Sequence, residues 1–126
     1  MTIIPNFIRD GLVRHLLGIE ALPMPTNLKL ALYTTDAGIL TDTPEGEVVD
    51  TNYVRHALAF DENDVSLPFH FEGLATQQTI THHAIVGDIG GETRIIIAES
   101  LTNPTTLSPG QIVWYDAGKV DISFTV

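Results

Sequence analysis

Apolar residues recur along the chain first at helical spacing and then, from residue 28 onward, in short alternating runs. Phe7, Ile8, Leu12, Val13, Leu16 and Leu17 form one stripe, interleaved with Arg9, Asp10, Arg14 and His15, which predicts an amphipathic helix of about three turns. Asn6 is placed to cap it and Gly18 to stop it. A helix this short is marginal by itself in water. Its stripe is therefore expected to dock, with the sheet as the expected surface and a neighbouring subunit as the alternative.

A connector holding Pro23 and Pro25, in which a helix cannot persist, leads to residues 28–34, Leu-Lys-Leu-Ala-Leu-Tyr-Thr, which alternate as a strand. Residues 35–50 carry Asp36, Asp42, Glu45, Glu47 and Asp50 among Gly38, Pro44 and Gly46, the composition of a long exposed loop. Residues 52–60 then read as one uninterrupted strand. Val54, His56, Leu58 and Phe60 would share one face, and Tyr53, Arg55, Ala57 and Ala59 the other. Both faces look coverable, and a partly buried Arg55 would need a carboxylate such as Asp88 or Asp116.

Further runs at 66–71, 77–88, 93–101, 111–116 and 120–126 complete the set. Pro68 confines the first to an edge or bulge. Gly90-Gly91 joins the next two as a hairpin, and Ile95-Ile96-Ile97 suggests burial on both faces. Asn103-Pro104 and Ser108-Pro109-Gly110 are expected to bracket a loop. Val120, Ile122, Phe124 and Val126 alternate as a last strand with one dry face. Seven strands behind one helix predict a mainly β domain, an antiparallel β-sandwich or jelly-roll-like barrel. Its parts are a helix over 1–18 and a β-sandwich over 28–126, with the acidic loop at 35–50.

Composition narrows the function. The length, 126 residues, suits one domain. Six basic against sixteen acidic residues give a net charge of -10, which repels phosphate backbones and anionic lipid surfaces, so neither nucleic acid nor membrane is an expected partner. The absence of cysteine removes disulfides, thiolate metal sites and cysteine nucleophiles, and fits assembly in a reducing cytoplasm. The N-terminus lacks the basic and apolar regions of a secretion signal.

Candidate chemistry is thin. His82-His83 are strand neighbours and point to opposite faces, so one ring is expected packed and the other exposed, with no shared metal. Residues 61–64 and Glu72 imitate part of a calcium loop, but Val65 and Ser66 stand where a ligand and a glycine are needed, which leaves a solvated turn. Asp88 with Asp116 could be imagined as a glycosidase pair, and Trp114 with Tyr115 as a sugar-stacking platform; a capping role for the acids and a core role for Trp114 are the expectation. No nucleophile elbow or phosphate loop is present. An enzyme is not expected, nor any cofactor.

Several segments in order carry a resemblance: the helix ending Leu16-Leu17-Gly18, Leu28 to Asp36, Tyr53 to Phe60, Thr79 to Asp88, Leu107-Ser108-Pro109-Gly110-Gln111 and Ala117 to Ile122. Together they resemble a family of small tailed-bacteriophage virion proteins, commonly labelled tail fibre protein or head decoration protein. The resemblance implies a virion structural role. A compact acidic globule cannot be a fibre shaft, so a capsid cement protein on the outside of the head, bound to the major capsid protein, is the first expectation. A tail-tip or fibre-associated adaptor bound to tail proteins is the alternative, and a carbohydrate-binding module the second. A homo-oligomer, dimer or trimer, is expected in either virion role. Candidate interaction and structural residues are Arg55, Tyr53, Trp114 and, as contact surfaces, Phe7, Leu12, Leu16 and Pro68.

Overall fold

The computed structural model describes residues 2–120. Strand β1 (Thr2–Ile3) and helix α1 (Asn6–Leu16) are followed by β2 (Thr26–Tyr33), β3 (His56–Ala57), β4 (Phe69–Phe71), β5 (Gln78–Ile89), β6 (Glu92–Leu107) and β7 (Val113–Tyr115). Five strands form an antiparallel sheet in the order β1-β6-β5-β2-β3, and β4 pairs with β7 as a separate ribbon. The ribbon lies over one face of the sheet through Phe71, buried in one cluster with Leu30, Leu32, Ile85 and Ile97. The domain is thus mainly β with one short N-terminal helix, as the alternation predicts. It is an open layered arrangement and not a closed barrel.

The β5–β6 hairpin is the spine. Gly90 and Gly91 both have positive φ, 60° and 87°, the two-residue turn whose twist matches the flanking strands. Beyond it, Ile85 faces Ile97 while Val86 faces Ile95, so Ile96 is an extra residue in β6. Such a bulge switches which face each side chain meets. Ile97 joins the cluster under the ribbon, whereas Ile95 joins Ala31, Tyr33, Ala84, Val86, Ile3 and Ile39 on the opposite face. Burial on both faces, expected from three consecutive isoleucines, is met in this way.

A second irregularity corrects the expected loop at Asn103-Pro104. Strand β6 runs on to Leu107, with Ile80 opposite Thr105 and His82 opposite Ser100. Residues 101–104 therefore stand against Thr81 alone. Pro104, which has no N–H to give a ladder, sits in this bulge and the strand resumes after it.

The expected strand over 52–60 is not formed. Only His56–Ala57 pair, with Leu30 and Lys29, and Phe60 makes one bridge to Ser66. Val54, Ala57 and Ala59 are exposed, so the segment is an edge and not a sandwiched strand. Its first half is held by side chains instead of a ladder, for the reason given below. Strand β4 starts one residue after Pro68, which ends the run that sequence extends back to residue 66. Strand β1, too short to show a period, was not expected. Of the C-terminal alternating run, residues 121–126 lie outside the described residues; Val120 is buried against Ile85 and Ile97.

Candidate interaction surfaces

The residues flagged by sequence separate into an internal clamp and a set of outward-facing side chains. Arg55 is partly buried and paired, as expected, but its partner is Glu47 and neither Asp88 nor Asp116. Its Nε and Nη2 donate to the two carboxylate oxygens of Glu47 at 2.8 and 2.7 Å, a bidentate geometry that fixes orientation as well as charge. Asp88 is occupied by Asn27 Nδ2 and Thr93 Oγ1, which hold its carboxyl below the usual range. Asp116 lies after β7 beside Lys119 and His83, bordering a different hollow.

Tyr53 completes the clamp. Its hydroxyl donates to Glu47 Oε2 at 2.8 Å and accepts the Leu32 N–H at 3.0 Å. Val48 N–H in turn reaches the Leu32 carbonyl. The outer edge of β2 is therefore satisfied by a phenol and a loop amide where a neighbouring strand would have supplied a ladder. This is why residues 52–55 do not pair: the tyrosine ring is interposed between them and β2. Burial disfavours ionisation of Glu47, but hydrogen bonds from Arg55 and Tyr53 outweigh it and hold the carboxyl below its ordinary value. The Glu47 hydrogen bond raises Arg55 further. Burial, with Glu47 nearby, pushes Tyr33 up to about 12.

The acidic segment is tied down at two more points. Asp50 accepts the backbone N–H groups of Asn52, Ala75 and Thr76 and the Thr76 hydroxyl. These bonds, that from Ala75 foremost, hold its carboxyl at about 2. Asp42 Oδ2 accepts Phe7 N–H at 3.0 Å, and the Asn6 N–H reaches the Leu40 carbonyl. Asn6 does not cap its own helix, as sequence suggested; it is already the first helical residue after Pro5, and the cap comes from the acidic segment. Ile39 and Val48 are buried in opposite cores. The stretch expected to be a long exposed loop is one over most of its length, but these contacts pin it down as a strap.

The outward set behaves differently. Of the helical stripe only Ile8 is buried, with Phe7 and Leu12 half-covered. Phe7 lies under the Arg94 guanidinium, 3.6 Å from its ring centroid. Leu16 is 81% exposed and Leu17 68%, so the stripe is covered at Phe7, Ile8 and Leu12 and faces water towards its C-terminal end. Pro68 is exposed beside Leu67. Trp114, expected in the core, is 69% exposed. It pairs with His70 on the outer face of the β4–β7 ribbon, centroids 4.6 Å apart, while Tyr115 turns inward and stacks on Phe69, which stacks on His56. Neighbours on a strand face opposite ways, so Trp114 and Tyr115 do not make one flat platform. Both border a hollow of about 280 Å³ with His83, Asp116 and Lys119.

His82 and His83 are both half-buried, where one exposed ring was expected. His83 Nδ1 is hydrogen-bonded to the Tyr115 hydroxyl at 3.1 Å and His82 Nδ1 to Thr81 Oγ1 at 2.7 Å. Asp61 accepts the N–H groups of Asn63 and Val65, capping its own turn, and Glu72 meets His70. Among the described residues no group of three His, Asp or Glu side chains could hold a metal ion. Sequence reading missed Glu47, Asp42 and Ser66. The last, buried, accepts Gly118 and Val120 N–H groups on Oγ, and a serine beside a Pro-bearing run gives no sign of that reach.

Comparison with known proteins bears on this site-poor, strap-bound architecture. The family model described as Podophage GP4 fiber I protein gp80 matches residues 4–123. The chain belongs to that fibre protein family. It is accordingly a phage fibre-related structural protein of the virion, and the match runs through helix, strap, hairpin and ribbon alike. No curated protein matches it. In this member of the fibre I family, Arg55, Tyr53, Asp88 and Asp50 serve internal bracing, and the surface combines a strongly acidic balance with exposed apolar side chains such as Leu16, Leu17 and Trp114.

Proposed function

We propose that the chain is a non-catalytic component of the tail-fibre apparatus of a podophage, acting as a compact adaptor bound to other tail proteins. The observation that carries this is the family match from residue 4 to 123, whose description names a fibre. The fold supports the adaptor part: a single layered unit with no repeat supplies a connecting block, whereas a shaft needs repeats or heptads. The clamp of Arg55, Glu47 and Tyr53 keeps that block rigid, and its exposed apolar residues supply contact area.

The fibre description weighs toward the tail and away from the head-cement reading, in which the partner would be the major capsid protein. Immunogold labelling of intact virions tests the choice. Gold at the tail with bare heads is expected; labelling spread over heads, with a copy number near that of the major capsid protein, would overturn it. The exposure of Trp114 beside a hollow gives one observation in favour of glycan contact as a second reading. On a glycan array, binding lost in Trp114→Ala with the fold intact would support it, and no binding by the natural chain would remove it.

A further inference from the structure

On the sheet face opposite the ribbon, the strap roofs a hollow of about 110 Å³. Ile39, Val86 and Ile95 give it apolar walls, and its polar lining comes from separate parts of the chain: Tyr33 at the end of β2, Asp42 in the strap, Arg55 just after the strap, and Thr93 and Arg94 at the start of β6. At ~30 Å³ per water the space holds roughly three or four waters, or a carboxyl group on a short stem. None of these groups is brought together by sequence spacing.

Three of these groups have hydrogen bonds left unmade. Tyr33 is only 1% exposed, yet its hydroxyl has no hydrogen bond among the described residues, whereas a buried phenol ordinarily finds a partner. What surface it keeps opens into the hollow. Burial and the nearby Glu47 push its ionisation up to about 12, so it stays a neutral donor. Arg55 commits Nε and Nη2 to Glu47 and leaves Nη1 without a partner among the described residues; its charge is close enough to act on the Tyr33 hydroxyl. Arg94 gives Nη2 to Glu92 at 2.8 Å and lays its guanidinium on the Phe7 ring, while its Nε is buried without a partner. Open donors thus dominate the lining.

Two guanidiniums and a phenol suit a planar pair of acceptor oxygens, the chemistry of a carboxylate. The net charge of -10 opposes an anion at long range, but salt at physiological strength screens that field beyond about 8 Å. Nearer the hollow, Glu47 is matched by Arg55, and the Glu92 side chain is 70% exposed to water. Asp42 is the remaining acid. One of its oxygens accepts Phe7 N–H, and the other has no hydrogen bond among the described residues. It would repel a bare carboxylate and favour one that carries an N–H or O–H beside it. The last residue of a polypeptide has that pair in its terminal carboxylate and its own amide, and a small hydroxy acid has it too.

We propose that the hollow under the strap binds a carboxylate with an adjacent N–H or O–H donor, Tyr33, Arg55 and Arg94 holding the carboxylate and Asp42 accepting from the donor. The site goes beyond the adaptor reading and does not depend on it. Nuclear magnetic resonance titration of the isotope-labelled natural chain tests it with three probes: N-acetylglycine, which mimics a chain end, lactate, a free hydroxy acid, and N-acetylglycinamide, which keeps the N–H but has no carboxylate. N-acetylglycine or lactate should shift the amide signals around Tyr33, Thr93 and Arg94 with a Kd on the order of millimolar. Tighter binding of N-acetylglycine would identify a polypeptide C-terminus as the source, and tighter binding of lactate a free acid. N-acetylglycinamide should bind at least about tenfold more weakly than either.

Tyr33→Phe removes only the unpartnered hydroxyl and keeps the buried ring, so it should fold as the natural chain does and weaken binding at least about tenfold. Arg94→Gln should weaken it as much or more, whereas Arg14→Gln, the same change of charge on helix α1 away from the hollow, should not. An absence of shifts with both acids well above millimolar, shifts centred elsewhere, equal binding of N-acetylglycinamide, or undiminished binding by Tyr33→Phe would each overturn the proposal.

Discussion

Residues 36–55 and residues 6–25 invert what their composition suggests. The first is acidic, rich in turn residues and without a period, yet it is pinned by the Asp42 cap, the Glu47 clamp and the Asp50 anchor. The second has a clear helical period, yet most of its stripe faces water. The lesson is that periodicity reports the shape of an element, whereas coverage depends on contacts distant in sequence. A carboxylate in a loop carries no sequence mark of whether it braces backbone N–H groups or is merely solvated.

The largest effect should come from opening the strap. Arg55→Ala leaves Glu47 partly buried without its cation; for a pair that is 35% and 26% exposed, a loss of about 2 kcal/mol in urea unfolding is expected, below the 3–5 of a fully buried pair. An unchanged midpoint would mean that the strap is held without the clamp. Tyr53→Phe should cost about 1 kcal/mol in the same assay, since it removes the acceptor for Leu32 N–H and one donor to Glu47 while keeping the ring.

Acid should act on the same region. The folded-state values of Glu47 and Asp50 are depressed, so their contribution is present above the unfolded carboxylate range and is lost as protons bind the folded form. For Asp50 that window runs from about pH 4 down to about pH 2, and the melting temperature should fall through it. Asp50→Asn should start lower and flatten the acid limb; an identical pH profile would exclude the anchor. The smallest effect belongs to the helix. Leu16→Asp should change the stability of the dilute monomer by under about 0.5 kcal/mol, as expected for a surface position, and a loss near 2 would show that the stripe is covered within the monomer.

Much of the fold was legible because its signals are local. The Gly90-Gly91 turn, the alternation of β2 and β5, the helical stripe and the Gly18 stop each need only neighbouring residues. What was not legible depends on reach. The Asp42 cap joins residues 35 apart, and the hydroxyl of Tyr53 replaces a strand that the β-favourable run at 52–60 seemed to supply. Arg55 was recognised as a residue in need of a partner, but the choice of Glu47 over Asp88 follows from the strap's return to Tyr33, which no spacing rule predicts. Pro104 misled because a bulge can absorb a proline, and Trp114 because a two-stranded ribbon has an outer face.

Hydrogen exchange on the dilute chain tests the contrast most directly. The amides of Thr34, Val48 and Tyr53, which donate to Gly46, Leu32 and Asp50 carbonyls, should exchange more slowly than those of Leu17, Gly18 and Ile19 at the end of the uncovered helix. Exchange of the strap at the rate of a free loop, with the helix end protected, would contradict the account.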